Sequence, residues 1–162
     1  MTVTLHKGYL PGSIGRVAEL HATYYHRRAG FGVYFESKVA RELSEFCECY
    51  AEERDGLWLA LADAGVEGSI AIDGSHAERD GAHLRWFITS EKVRGTGVGT
   101  ALLTAAVEFC RSRHYDRVYL WTFEGLSAAR HLYEKFGFRL VHRQLGSQWG
   151  SEVEEQRFEL RA

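Results

Sequence analysis

A glycine-rich stretch, Arg94-Gly95-Thr96-Gly97-Val98-Gly99, has the residue types and the position to bind an anion. It follows an aromatic and β-branched run over residues 84–89, which is typical of a strand, and it precedes apolar residues at helical spacing from Leu102 to Cys110. The start of a helix carries unpaired N–H groups and partial positive charge, and glycines let an anion approach this backbone closely. The pattern therefore predicts a site for the pyrophosphate of a cofactor.

The glycine spacing argues against two classes of nucleotide site. A dinucleotide fingerprint, G-x-G-x-x-G, would need its third glycine where Thr100 stands. A nucleoside-triphosphate loop would need Gly-Lys-Ser/Thr at its end, and no lysine follows Gly99 before the helix. The cofactor is therefore expected to carry a pyrophosphate but to be neither a dinucleotide nor a nucleoside triphosphate held by one of these two loops.

Two motifs together resemble the GCN5-related N-acetyltransferase (GNAT) family. Arg94, Gly97 and Gly99 match the R-x-x-G-x-G signature, and the helix-like stretch 128–138 resembles the second hallmark, L-Y-E-x-x-G-F, with a strand-like run at 117–123 between them. The resemblance extends over essentially the whole chain. Residues 120–130 look most like the acetyltransferase half of bacterial fusions that carry a MarR-type regulator in front.

The resemblance implies an α/β (α+β) fold with a mixed, mostly antiparallel sheet of about seven strands. Four helices would flank this sheet, which would be splayed between its fourth and fifth strands. It also implies acetyl-coenzyme A as cosubstrate and no metal, with the pantetheine arm along the fourth strand and the pyrophosphate on the glycine-rich backbone. An asparagine that the family often uses at the start of the fourth helix is Leu126 here, so its contact with the cofactor is either absent or moved to Ser127. The residues predicted to bind the cofactor are Phe87, Ile88, Thr89, Arg94, Gly95, Thr96, Gly97, Val98, Gly99, Thr100, Ser127 and Arg130.

Acetyl transfer to an amine needs a proton donor for the leaving thiol and a way to deprotonate the amine. By the resemblance, Tyr133 is the general acid, and a phenol of ordinary pKa stays protonated at neutral pH. Candidates for the base are Glu36, His83 and Glu124, and ordered water leading to such a group would also suffice. His83 is predicted to share the strand parity of Arg85 and Phe87, on which, by the resemblance, some family members place a catalytic carboxylate or imidazole.

Each candidate also has a structural explanation that the sequence leaves open. Tyr133 could pack on its helix, His83 could lie at the surface, and Glu36 could stabilise a helix start through the dipole. Arg85 is unusual in a buried strand, so it predicts either a substrate carboxylate or an intramolecular ion pair. Glu124 and His142 are the other predicted substrate-binding residues, and Trp121 and Trp149 are further candidates for the acceptor cleft.

Composition excludes several classes of protein. The 162 residues fit a single domain, 1–162, with 45% hydrophobic residues and a net charge of −2, so no general basic field favours nucleic acid. No apolar stretch approaches the ~20 residues that span a bilayer, and the N-terminus does not resemble a signal peptide, so we expect a cytoplasmic protein. Cys47, Cys49 and Cys110 are expected to be reduced thiols.

The preferred function is acetyl-coenzyme A-dependent N-acetylation of a small amine or amino acid derivative. A protein or peptide N-acetyltransferase and a non-catalytic acyl-coenzyme A sensor are the alternatives, and charge disfavours a DNA-binding regulator. A homodimer is compatible with exposed late strands.

The elements that must position these residues follow from periodicity. Strands are predicted at 3–7, 57–61, 68–72, 83–89, 118–122, 138–144 and 154–160, and helices at 14–28, around 35–50, after the glycine-rich stretch, and at 127–136. In the second helix, Phe35, Val39, Leu43 and Phe46 mark the apolar side. A run of glutamates, at 42, 45, 48, 52 and 53, is interpreted as a solvated face.

Overall fold

The computed structural model describes residues 2–63 and 65–161 and forms one seven-stranded sheet with the order β1-β2-β3-β4-β5-β7-β6. All neighbouring strands are antiparallel except β4 and β5, which run parallel. The strands are β1 (Val3–Lys7), β2 (Gly56–Ala62), β3 (Gly65–Asp73), β4 (Ala82–Thr89), β5 (Arg117–Phe123), β6 (Arg139–Gly146) and β7 (Val153–Arg161). The predicted mixed, mostly antiparallel sheet is confirmed.

Helices cover both faces of the sheet and divide the core in two. They are α1 (Ser13–Ala29), α2 (Val33–Glu48), α3 (Ala77–Asp80), α4 (Val98–Ser112) and α5 (Ser127–Lys135). One core joins the sheet to α4 and α5 through residues such as Leu102 and Tyr133, and the other joins it to α1 and α2 through residues such as Val17 and Leu43. Within the described residues there are thus five helices rather than the four expected, because the four-residue α3 is too short to show a periodic pattern.

A β-bulge interrupts β4 at the centre of the sheet. Ser69 of β3 pairs with Ile88, and Ala71 pairs with Arg85, so Ile70 alone lies opposite two residues of β4. Trp86, one of these two, has a φ of 49°, which is rare for a bulky residue. Arg85 and Trp86 therefore both face α2, where Arg85 pairs with Glu42 and Trp86 packs on Phe46.

The expected parity of β4 is wrong beyond Arg85. Phe87 packs in the core on the α4 side, whereas Arg85 contacts Glu42 on the α2 side. The bulge is the physical reason, since one extra residue reverses the faces of all residues that follow it.

The strands β4 and β5 pair only at their beginnings, Ala82 with Val118 and His83 with Tyr119. Beyond these pairs the two strands separate, which confirms the predicted splay between the fourth and fifth strands. Because the bulge lies just past the last pair, it gives a local reason for the separation. The opening leaves backbone groups of β4 available to a ligand.

Candidate active site

The glycine-rich stretch connects β4 to α4 and leaves an open backbone at the helix start. Gly95 and Gly97 have φ values of 77° and 84°, and a Cβ placed on either residue would meet no atom within 4 Å. Gly97 is the N-cap of α4 and gives the helix no side-chain cap. Arg94 folds back on the loop, where it donates to the carbonyl of Thr89 at 3.1 Å and lies over the ring of Tyr24. The first-turn amides, the helix dipole and the absence of side chains at Gly95 and Gly97 fit a pyrophosphate group.

A cavity of about 430 Å³ opens between the separated strands and passes to the face covered by α1 and α2. Phe87 and Tyr133 line it on the α4 and α5 side. On the other side it is lined by Tyr25, Phe35, Lys38, Val39, Glu42, His83, Arg85, Trp86, Trp121, Phe123, Gln148 and Trp149, among others. A thioester on the β4 side and an amine on the α1–α2 side could therefore meet within one continuous cavity.

The loop between β6 and β7 closes one wall of this cavity. Trp149 packs against Phe31 and Phe123, with ring centroids 6.4 and 5.6 Å apart. Next to it, a Cβ on Gly150 would come within 2.8 Å of the Tyr34 ring, so this loop lies closely against the start of α2. The expected contribution of Trp121 and Trp149 to the cleft agrees with their position in the cavity wall.

Tyr133 lies in α5 with its ring buried among Phe87, Phe138 and Phe158. Burial raises the pKa of its phenol well above the ordinary value, and the nearby Tyr25 adds to this effect. The hydroxyl is therefore protonated at neutral pH and can donate a proton or a hydrogen bond, but cannot act as a base. Its position in the cavity wall is compatible with the predicted role of general acid.

Two histidines line the cavity as neutral imidazoles. Burial lowers the pKa of His21 to about 4, even though a hydrogen bond with the Val17 carbonyl opposes the shift. Burial, aided by the charge of Arg85, lowers the pKa of His83 to about 3. His83 also stacks on Tyr119 at 4.4 Å. An imidazole with so low a pKa accepts a hydrogen bond but takes a proton poorly from an ammonium of pKa about 10.

An ion cluster of Lys38, Glu42 and Arg85 forms the polar end of the cavity. Lys38 Nζ lies 2.6 Å from one Glu42 oxygen, and the Arg85 guanidinium pairs with the other. Burial alone would raise the pKa of Glu42, but the hydrogen bonds and charges of Lys38 and Arg85 lower it below the ordinary value. The guanidinium also stacks on the Trp86 ring at 4.1 Å. Glu42 therefore remains a carboxylate between two cations, and its interpretation as part of a solvated face is wrong.

Three of the residues predicted for catalysis or substrate binding lie outside the cavity wall. Glu36 is exposed in the first turn of α2. Glu124 is exposed and accepts a hydrogen bond from Gln156 at 2.7 Å, and His142 is exposed on β6, where it bonds to Gln144 at 2.9 Å. Geometry thus gives none of these three a contact with the space between the strands.

The remaining predicted cofactor residues lie at the end of β4, in the glycine-rich stretch with the first turn of α4, and in α5. Ile88 and Thr89 end β4, Thr96 bonds to the Val93 carbonyl, and Thr100 lies exposed in the first turn of α4. Val98 is buried at the start of α4, whereas a Cβ on Gly99 would approach Leu132 at 3.6 Å. At the other side of the cleft, Ser127 begins α5, and Arg130 lies near Glu134 and above the Phe158 ring.

Sequence reasoning missed His21, Tyr25, Lys38 and Glu42 as cavity residues. Helical spacing placed His21 and Tyr25 on the apolar side of the first helix but put Glu42 on the exposed side of the second, and it gave no sign of the gap between strands beneath both helices. The one available signal was Arg85, because a charged residue in a central strand requires a partner of opposite charge.

Over residues 2–63 and 65–161, no group of three or more His, Cys, Asp or Glu side chains is arranged to hold a metal ion. Cys47, Cys49 and Cys110 are free thiols. None of the helices in the same residues is long and apolar enough to cross a membrane.

Comparisons with known proteins agree with this geometry. Among curated proteins, the chain is 29% identical over 123 residues to the N-acetylaspartate synthetase of Homo sapiens, covering 75% of this chain and 40% of that protein. It is 25% identical over 119 residues to an uncharacterized N-acetyltransferase of Methanocaldococcus jannaschii, covering 71% and 53% of the two chains. The chain spans only 39% to 44% of the length of the N-acetylaspartate synthetases that it matches.

Solved structures share the fold over nearly the whole chain. The protein yncA of Salmonella typhimurium, solved with its cofactor acetyl-CoA, superposes with a TM-score of 0.77 at 13% identity, covering 99% of this chain and 94% of that one. An acetyltransferase of Streptococcus agalactiae superposes with a TM-score of 0.75 at 21% identity, covering 99% and 98%.

The sequence profile of the acetyltransferase (GNAT) family matches residues 16–138. These residues include the bulged strand, the glycine-rich stretch and the tyrosine of α5, which are the elements that build the cleft. The chain therefore belongs to the acetyltransferase (GNAT) family.

Proposed function

We propose that this protein transfers an acetyl group from acetyl-coenzyme A to the primary amine of a small molecule or amino acid derivative. The observation that carries the proposal is the continuous space from the part of β4 that no longer pairs with β5, past Tyr133, to the ion cluster of Lys38, Glu42 and Arg85. The family match and the enzymes named among the relatives support the acetyl transfer. The special likeness to MarR-linked acetyltransferases stays a proposal.

In this reaction acetyl-coenzyme A supplies the thioester carbonyl. The amine nitrogen forms a bond to the carbonyl carbon, the carbon–sulfur bond breaks, and the sulfur leaves as a thiol once it is protonated. We assign Tyr133 to this protonation, because its phenol is protonated and lies in the cavity wall. We assign polarisation of the carbonyl to a backbone N–H of β4 near the bulge, since β4 and β5 no longer pair there.

We propose water, rather than a dedicated side chain, as the route by which the amine loses its proton. Burial keeps the imidazoles of His21 and His83 neutral, so each can accept a hydrogen bond from the amine and orient it. Glu42 is held by two cations and is correspondingly a weak base.

The glycine-rich loop is tested by a matched pair of substitutions, Gly97→Leu and Gly12→Leu. Both glycines are N-caps in the left-handed region, with φ of 84° and 86°, and a Cβ added to either would have no atom within 4 Å. The backbone strain should therefore be similar, about 1–2 kcal/mol. Only Gly97→Leu is expected to abolish binding of coenzyme A, measured by calorimetry.

The activity itself is tested by thiol release from acetyl-coenzyme A with a panel of amines, amino acids, polyamines and peptides. Release with a small amine supports the proposal. Coenzyme A binding without release across the panel would indicate a sensor, and equal affinity of Gly97→Leu and wild type would reject the phosphate-binding loop.

A further inference from the structure

The cavity is lined by two chemically different groups of side chains, one polar and one aromatic. The polar end is the ion cluster defined above, and the aromatic end consists of Tyr25, Phe35, Phe123 and Trp149. The rings contact one another in sequence, with centroid distances of 5.3 Å for Tyr25–Phe35, 5.8 Å for Tyr25–Phe123 and 5.6 Å for Phe123–Trp149. A ligand that fills this space therefore meets charge on one side and a continuous aromatic wall on the other.

Cations outnumber carboxylates among the cavity-lining residues of the described chain. Lys38 and Arg85 are positive, Glu42 is negative, and both histidines are neutral at pH 7. Asp73 approaches Arg85 to 4.0 Å from an adjoining outer pocket, which Arg85 and Glu42 also line, and its carboxylate accepts a hydrogen bond from Ser75 there. A second carboxylate entering the cavity would therefore be attracted, whereas an ammonium group would meet a carboxylate already paired with two cations.

The cluster remains accessible to such a ligand. The side chains of Lys38, Glu42 and Arg85 are 24%, 26% and 21% exposed, and all three border the cavity. The guanidinium is fixed in place by stacking on Trp86 and presents several N–H donors, which suits a planar carboxylate. Glu42 occupies these donors in the absence of a ligand, so a substrate carboxylate would share or replace its contacts.

We infer that the acceptor is an amine that also carries a carboxylate and a large apolar or aromatic group, as an aromatic amino acid does. The carboxylate would bind Arg85 and Lys38, the apolar group would pack on the aromatic wall, and the amine would point to the opening beside β4. This inference rests on the proposed acetyl transfer and names its substrate class.

Three acceptors separate the two parts of the inference. Phenylalanine has the carboxylate and the ring, phenethylamine has only the ring, and alanine has only the carboxylate. We expect kcat/KM for phenylalanine to exceed that for either analogue about tenfold or more, because each analogue leaves one end of the cavity without its partner. Equal or faster turnover of phenethylamine or alanine would overturn the inference while leaving acetyl transfer intact, and failure of every amine in the panel would reject both proposals.

Two substitutions in the ion cluster are expected to change the preference for phenylalanine over phenethylamine in opposite directions. Arg85→Gln should remove most of the preference for phenylalanine over phenethylamine, chiefly through KM. Glu42→Gln should increase this preference, because it frees both cations for the substrate carboxylate. General damage to the fold cannot produce opposite changes in a ratio of two substrates.

The control is Arg79→Gln, which removes a positive charge from a side chain that is 72% exposed, pairs with Asp80 and is not part of the cavity wall. It should leave the phenylalanine-to-phenethylamine ratio as in the wild type. A purely structural cluster would show the same ratio in all four proteins, and that result would overturn the assignment of Arg85.

Discussion

The residues of the cavity differ in the proton state that burial imposes on them. Burial keeps the phenol of Tyr133 protonated and the imidazoles of His21 and His83 deprotonated, so the donor is available while the histidines are poor bases. Burial thus supports the assigned acid and disfavours His83 as the base. Lys38 and Arg85 lower the pKa of Glu42 below its ordinary value, so Glu42 remains a carboxylate.

Tyr133→Phe tests the acid. It removes the hydroxyl and keeps the ring among its aromatic neighbours, so we expect kcat to fall by about 10²-fold with little change in the Kd of coenzyme A. Tyr115→Phe is the control, since that hydroxyl bonds to the Arg54 carbonyl at 2.7 Å, outside the cavity. A wild-type kcat in Tyr133→Phe would show that another group protonates the sulfur.

His21→Asn tests the consequence of burying a neutral imidazole. The folded-state pKa of about 4 lies below the ordinary value of 6.5, so the unfolded chain binds more protons between these values. Stability should therefore fall as pH is lowered through this window, by up to about 3 kcal/mol from His21 alone. Asparagine can still donate to the Val17 carbonyl but does not titrate. The free energy of unfolding of His21→Asn should therefore decline less than that of the wild type as the pH is lowered.

Chemical denaturation at several pH values measures this difference. The exposed His131→Asn serves as the control and should keep the wild-type decline. A decline in His21→Asn as steep as that of the wild type would mean that other groups control acid stability.

Among the elements, the bulged strand β4 has the largest effect on the site. Its extra residue turns Arg85 and Trp86 to the same face and lies where β4 and β5 separate. Regular strand spacing cannot place two consecutive residues on one face, so this irregularity brings the Trp86 ring beneath the Arg85 guanidinium at the point where β4 and β5 have separated.

Glycine and alanine substitutions at Trp86 should show a reversed order of stability. In an ordinary strand glycine costs more than alanine, but the φ of 49° at Trp86 favours glycine, so Trp86→Gly should be more stable than Trp86→Ala by about 1 kcal/mol. Both variants lose the buried indole. Trp58 in β2, also buried and without positive φ, is the matched control, and there alanine should be the more stable replacement. Thermal unfolding of the four variants gives both orders, and an alanine advantage at Trp86 would argue against a strained bulge.

The sequence predicted the regular elements well and the irregular ones poorly. All seven strands and the four long helices follow from periodicity and glycine positions, whereas the bulge at Trp86 has no residue signal, because a tryptophan rarely adopts this backbone conformation. Glu42 was misjudged for a related reason. A glutamate in an acidic run looks solvated unless the position of Arg85, on another element, is known.

At the scale of the molecule, the sheet consists of two parts that meet at only two residue pairs. One part contains β1 to β4 and the other contains β5, β7 and β6, with antiparallel pairing throughout each part. The glycine-rich stretch follows β4 of the first part and Tyr133 lies in the segment after β5, so the proposed reaction requires both parts. The aromatic wall also joins them, since Phe35 comes from α2 and Trp149 from the loop before β7.

The contact of Gly150 with Tyr34 has a consequence for engineering and for divergence within the family. It places the start of α2 against the β6–β7 loop, beside Phe35 and Trp149 of the cavity wall, and neither segment includes the glycine-rich stretch. We therefore expect that varying the residues of these two segments changes the preferred acceptor and leaves the use of acetyl-coenzyme A unchanged. The close packing at Gly150 also means that the two segments must be randomised together rather than one at a time.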